Sequence, residues 1–435
     1  MKITFLGAGS LVFAKTVLGD CIVSGLFDAF EISMYDIDPQ RLDETYRVVS
    51  AINERNGSKA RVEKTLDRRK ALRGADYVVN AIQVGGYKPC TVTDFEIPKK
   101  YGLKQTIADT TGIGGIFRAL RTLPVMDEFA KDIEEVCPNA LFLNYTNPMS
   151  MLSGYMQRYT GVETIGLCHS VQSCVPDLLK RLQMDEYSDN VRWNIAGINH
   201  MAWLLSITDL KGNDLYPEIK KRSYQTDKYD LSKDLVRLKI MQTFGYYNTE
   251  SSEHSSEYHP YFIKDKYPDL IEKYNIPIDE YINRCENQIK WWENEKSKLG
   301  GEDYINHKRS GEFASYIIEA KECGHDMRVH GNVINTGLIP NLPKEACVEV
   351  PLLIDRGGVH PCYVGNLPEV CAALNRTNIN VHLLTIQAYR TRKKEDLYTA
   401  ALLDPHIRSE LDIDDTIRMC NDMIEAHGDW IPKFH

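Results

Sequence analysis

Ile3-Thr4-Phe5-Leu6-Gly7-Ala8-Gly9-Ser10 reads as a buried strand running into a glycine turn, and Val12 to Gly19 begins a helix behind it. Dinucleotide binding needs glycine where backbone N–H groups approach a pyrophosphate at a helix N-terminus. Gly7 and Gly9 fill the first two positions of G-x-G-x-x-G, and Val12 stands at the third, so the fingerprint is incomplete. The next apolar run, Glu31 to Tyr35, ends in Asp36, a carboxylate able to accept hydrogen bonds from a ribose diol. It would repel a 2′-phosphate, so NAD is preferred over NADP. The bare alternative is a strand-turn-helix without a ligand. Placement, order and the acidic residue together favour the cofactor.

Outward from this turn, strands and helices alternate. A helix is expected from Gln40 to Arg55, a strand from Ala75 to Val84, and a helix from Gly115 to Val136. Further strands follow at Ala140 to Asn144 and at Thr164 to Leu167. Continuous apolar strands separated by amphipathic helices indicate a parallel sheet covered on both faces. The fold class is α/β: an N-terminal Rossmann-type doubly wound parallel sheet over residues 1–195, with a second α+β domain over 196–435. In the second part, Ala202 to Ile207, Val329 to Asn335 and Cys347 to Ile354 read as strands. Tyr281 to Leu299 reads as an amphipathic helix, and a helical tail follows. The site is expected in the cleft between the two parts.

The 435 residues carry a formal charge of −9 and no basic cluster with interleaved aromatics, which argues against a nucleic-acid partner. No run reaches the ~20 apolar residues of a membrane span, and the N-terminus enters a strand directly, so a cytoplasmic protein is expected. Eleven cysteines without a C-x-x-C pair are expected as free thiols, ten of them small buried apolar residues.

Cys168 is the exception. It follows an apolar strand, so its sulfur belongs at the carboxyl end of the sheet, where ligands bind in such folds. As a thiolate it can bind a divalent metal together with neutral His200, leaving positions open for substrate oxygens and water. Core packing for Cys168 and an ordinary polar contact for His200 are the bland alternatives. Asn147, in Asn144-Tyr145-Thr146-Asn147-Pro148, either starts a turn or points its amide into the same crevice. The stretch Glu250 to His259 holds so many acid and base side chains that it reads as a solvated loop or as a lid carrying a general base.

Several stretches together resemble one family. They are Ile3 to Ser10, Gly85-Gly86-Tyr87-Lys88-Pro89-Cys90 through Glu96, Gln105 to Thr110, Gly166 to Val171, Ala196 to Met201 and Ala426-His427-Gly428-Asp429-Trp430. The chain is similar throughout to glycoside hydrolase family four, and within it to the bacterial α-galactosidases. The resemblance implies hydrolysis of small α-galactosides such as melibiose with NAD and Mn2+, a route outside two-carboxylate glycoside cleavage. It passes through oxidation at C3, loss of the C2 proton, elimination, water addition and re-reduction.

Carried over by residue, the resemblance makes Cys168 and His200 metal ligands and Asn147 a substrate-binding asparagine. Gly7, Gly9, Ser10, Asp36, Asn80 and Gln83 fall on the cofactor side. His169 stands where phospho-α-glucosidase relatives carry an acid aspartate, and His254 aligns with their tyrosine base, with Tyr258 as competitor. Homodimers or homotetramers are implied as well. An α-glucosidase or α-uronidase is the alternative within this chemistry, the latter needing a cationic clamp from Arg118, Arg121, Lys308 or Arg309. An NAD-dependent 2-hydroxy acid dehydrogenase is the alternative outside it.

Overall fold

The computed structural model describes residues 1–188, 190–299 and 301–435. The opening apolar run becomes strand β1 (Lys2–Leu6), flanked by β2 (Phe30–Tyr35) and β4 (Tyr77–Asn80). With β3 (Ala60–Thr65), β5 (Leu141–Asn144) and β6 (Thr164–Gly166), these strands form a parallel half in the order β3-β2-β1-β4-β5-β6. The order reverses at β1, as in a doubly wound sheet, and crevices open at the carboxyl ends of its strands. Ile3, Phe5, Val79 and Leu143 pack into the core on one face, while Leu6, Val78 and Phe142 pack into that on the other. Both faces are dry, which explains the uninterrupted apolar runs.

The sheet does not stop there. β6 pairs antiparallel with β10 (Met327–Ile334), which pairs with β11 (Cys347–Asp355). Beyond β11 come β7 (Val191–Ile198), β8 (Met201–Asp209) and the short β9 (Tyr247–Asn248), while β12 (Gly358–Pro361) pairs β11 on the side. The expected α/β class, with a Rossmann-type half and an α+β second part, is the fold found. One sheet spans both, and β7 crosses residue 195.

Some local expectations are corrected. Ala75 to Val84 leaves the sheet at Asn80, because the chain after it is drawn against the glycine turn: a Cβ at Gly7 would stand 2.7 Å from the Ala81 carbonyl oxygen. β3 (ARVEKT) went unread because only Ala60 of its six residues is buried. The stretch 250–259 is not a solvated loop or lid. Ser252–Tyr258 is a helix with six of its seven residues buried, since His254, Ser255, Ser256, Glu257 and Tyr258 find polar partners inside the protein. Among the cysteines, Cys285, Cys323 and Cys362 are half-exposed and not core residues. No helix among the described residues is long and apolar enough to cross a membrane.

Candidate active site

At the carboxyl end of β1 the chain turns so tightly that the N–H groups of Gly7 and Ala8 both donate to the Tyr35 carbonyl at 3.0 Å. Gly7 has φ +87°, a conformation glycine adopts without strain. The Gly9 N–H donates to Asp36 Oδ2 at 2.6 Å, and Asp36 Oδ1 accepts from Asp38 N at 2.9 Å. A Cβ at Gly9 would stand 2.7 Å from that carboxylate. Ser10 closes the turn and precedes the helix Leu11–Val23. Bare backbone at a helix N-terminus beside a strand-end carboxylate is a cradle that fits a dinucleotide. Asn80 is completely buried at the end of β4, donating to Asn144 Oδ1 at 2.9 Å and Thr146 Oγ1 at 3.2 Å, with its own Oδ1 unpartnered. Gln83 is exposed farther on and donates to Thr91 Oγ1 at 3.3 Å.

The second group of side chains gathers where β6 ends. Cys168 follows β6, and His200 sits in the two-residue turn that joins β7 to β8. That turn forces His200 to φ +63°, an uncommon conformation for a residue with a side chain. Its Nε2 lies 3.7 Å from Glu250 Oε2, and the Cys168 Sγ lies 4.0 Å from the same oxygen. Donor atoms of Cys168, His200 and Glu250 all lie within 4.8 Å of one another, as do those of Asp109, His200 and His254. Sulfur, imidazole and carboxylate donors together suit a divalent transition ion, so the residues present fit a metal. Burial, followed by the charges of Glu250 and Glu349, pushes the Cys168 thiol up to about 12. A dication bound there would favour the thiolate.

Asp109 is the centre of a hydrogen-bonded set. It accepts from Thr110 Oγ1 at 2.7 Å and Asn147 Nδ2 at 3.0 Å, and its Oδ1 lies 3.5 Å from His254 Nε2. Although burial disfavours its charge, His254, Arg118 and His200 hold its carboxyl far below the ordinary range. Burial and His200 work against the His254 cation, yet Glu250 and Asp109 outweigh them and raise its pKa. Three backbone N–H groups, of Thr106, Ile107 and Ala108, donate to the Glu257 carboxylate at 2.7 to 3.2 Å and fix the loop that presents Asp109.

The structure thus brings Cys168, His200, Asn147 and His254 together. The other two candidates border that set, Tyr258 with its ring edge-on to His200 at 6.5 Å and His169 beside Cys168 in the chain. Tyr258 is buried and its hydroxyl donates to the Asn199 carbonyl at 3.1 Å, and burial raises its pKa well above the phenol range. His169 lies on the rim, its ring between Tyr145 and Phe313 with Nε2 against Glu312, whose carboxylate lifts its pKa. Arg121 grips Asp94 with two hydrogen bonds, Arg309 pairs with Glu319, and Lys308 is exposed. Arg118 is buried against Tyr281.

Asp109, Glu250 and Glu257 were not singled out from the sequence as site residues. The available signal was Gly114 and Gly115, where a Cβ would stand 2.5 Å from the backbone of Ala108 and Thr110. Such closeness marks a tightly supported loop.

The glycine cradle and the Cys/His/carboxylate cluster, both at the carboxyl edge of the sheet, define a cofactor-and-metal type of enzyme. The family 4 glycosyl hydrolase model matches residues 2–184, and the model of that family's C-terminal domain matches residues 195–407. The chain belongs to the family 4 glycosyl hydrolases. It is 55% identical over 433 residues to an α-galactosidase of Bacillus subtilis (strain 168), covering 100% of this chain and 99% of that one. It is 32% identical over 442 residues to an α-galactosidase of Rhizobium meliloti (strain 1021), covering 100% and 89%. In fold it is similar to a 6-phospho-α-glucosidase from gut microorganisms, solved with NAD and Mn2+ (TM-score 0.81, 20% identity, 100% and 99% covered). A 6-phospho-β-glucosidase of Thermotoga maritima, solved with manganese, NAD+ and glucose-6-phosphate, gives a TM-score of 0.79 at 22% identity, with both chains covered completely.

Proposed function

We propose that this glycoside hydrolase is an α-galactosidase acting on small α-galactosides such as melibiose, with NAD and Mn2+ as its cofactors. The observation that carries this reading is the 55% identity, over the whole of both chains, to the Bacillus subtilis α-galactosidase. When bound, NAD would supply hydride-transfer chemistry and the ion Lewis acidity toward the sugar hydroxyls. Residues 1–195 supply the cofactor side through Gly7, Gly9, Ser10 and Asp36, with Asn80 and Gln83 beyond them. Cys168 and His200 hold the ion.

Asn147, whose Nδ2 donates to Asp109 at 3.0 Å, binds the sugar from beside that carboxylate. His254 takes the proton from C2. Its contacts with Asp109 and Glu250 support this role, because two carboxylates stabilise the imidazolium that forms. Tyr258, whose hydroxyl is engaged, is the weaker candidate. His169, whose pKa the Glu312 carboxylate raises, donates to the departing glycosidic oxygen. The same reading carries a cytoplasmic homodimer or homotetramer, checked by cell fractionation and analytical ultracentrifugation.

The test is product analysis with melibiose under NAD+, Mn2+ and a reductant, omitting each in turn. Galactose release that needs all three, with deuterium from heavy water at C2 and no net NADH, is expected. Cleavage that persists without NAD and metal would overturn the reading. Net NADH without sugar release would point to a dehydrogenase.

A further inference from the structure

We infer that Glu250 is a third protein ligand of the divalent ion, so that the chain holds it through Cys168, His200 and Glu250. This rests on the metal-dependent reading above and adds to its Cys/His pair. Donors about 2.0–2.3 Å from one ion stand roughly 3–4 Å from each other. Glu250 Oε2 lies 3.7 Å from His200 Nε2 and 4.0 Å from Cys168 Sγ, which is the separation that a shared ion requires.

The hydrogen bonds around His200 direct the same nitrogen to this spot. The Thr110 hydroxyl has one proton and donates it to Asp109 at 2.7 Å. It therefore accepts from His200 Nδ1 at 3.2 Å, which leaves the Nε2 lone pair facing Glu250 and Cys168. The two oxygens of Glu250 are divided in a similar way. Oε1 accepts from Ser251 N at 3.2 Å and faces His254, while Oε2 meets Cys168 and His200. The backbone pays for this aim. Glu250 has φ +68° and His200 φ +63°, left-handed conformations that are strained in residues with side chains and collect at ligand clamps.

In the overlapping trio of Asp109, His200 and His254, the two oxygens of the carboxylate are both engaged, Oδ1 by Thr110 and Oδ2 by Asn147. The partner of Asp109, His254, is engaged by Ser251 at 3.1 Å. Asp109 therefore orients the site, and Glu250 completes the coordination.

The experiment is Mn2+ binding, followed by the electron paramagnetic resonance of the free ion, with the NAD-loaded protein and no sugar. Glu250→Gln should weaken Mn2+ about tenfold or more, and Glu250→Asp should restore part of the loss. The NAD affinity and the Mn2+-free thermal midpoint of Glu250→Gln should match those of the parent. In the Co2+-loaded protein the same variant should shift the ligand-field bands and keep the thiolate charge-transfer band. Parental Mn2+ affinity in Glu250→Gln overturns the proposal. So does a loss that is accompanied by a lowered metal-free midpoint and is not eased by Asp, which is what a purely structural role would give. Mn2+ binding untouched by Cys168→Ser overturns the metal site itself, and is a separate outcome from the first.

Discussion

A methyl group added at Gly7 would press on the Ala81 carbonyl from 2.7 Å, at a φ of +87° that alanine adopts only with strain. At Gly9 the same methyl would meet the Asp36 side chain, which can shift at the cost of its hydrogen bond. Gly7→Ala should therefore lower both the thermal midpoint and the affinity for NAD, by about 1–3 kcal/mol, and more than Gly9→Ala does. Calorimetric titration with NAD separates the two. Cys168→Ser should abolish most metal-dependent turnover and leave NAD binding nearly unchanged; equal turnover in both proteins would reject the thiolate as a ligand. His254→Asn and Tyr258→Phe give opposite expectations. The first should reduce kcat by about a hundredfold or more if His254 is the base. The second should cost only a hydrogen bond to the Asn199 carbonyl, about 1 kcal/mol in stability, with kcat within a few-fold.

Among the elements, the helix Ser252–Tyr258 does the most for so short a segment. It carries His254 toward the site and, one turn on, Glu257 toward the loop Thr106–Ala108. Ala108 itself has φ +52°, so the loop needs outside support. Glu257→Ala would strand three buried N–H donors and should destabilise the protein by about 3 kcal/mol, while Glu257→Gln, which retains an acceptor oxygen, should cost less. Urea unfolding of the two variants measures the difference. This helix was not legible as a helix. Ser-Ser-Glu-His-Ser-Ser-Glu has no apolar stripe, and its burial depends on a loop some 150 positions earlier, as the Glu257–Thr106 bond shows. β1, β2 and β5 were legible to within a residue or two, since each is a short apolar run buried on both faces.

In the whole molecule, stability should depend on pH through buried imidazoles. Burial pushes His259, His330 and His382 down to about 4, against about 6.5 in an unfolded chain. A depressed pKa means that their contribution is intact above pH ~6.5 and is lost as pH falls toward ~4, by roughly 3 kcal/mol for each imidazole. The thermal midpoint should thus drop steeply between pH 6.5 and pH 4.5, and His382→Leu should make that drop shallower. Glu349 has the opposite sign: burial raises it to about 7, so its contribution is lost as pH rises through that value. Glu349→Gln should accordingly gain in midpoint relative to the parent above pH ~7 and not below pH ~5.

By itself the chain's sequence determined the doubly wound half, the glycine cradle with Asp36, and Cys168 at a strand end. Each depends on short-range periodicity and on which residues tolerate a tight turn. Only the tertiary structure decided that Asp109, Glu250 and His254 share one space with Cys168 and His200. Those five come from four segments far apart in the chain, and they meet because β6 is joined through β10 and β11 to β7 and β8 in a single sheet. Side-chain contact across such distances follows from how strands pair, and no local pattern encodes it.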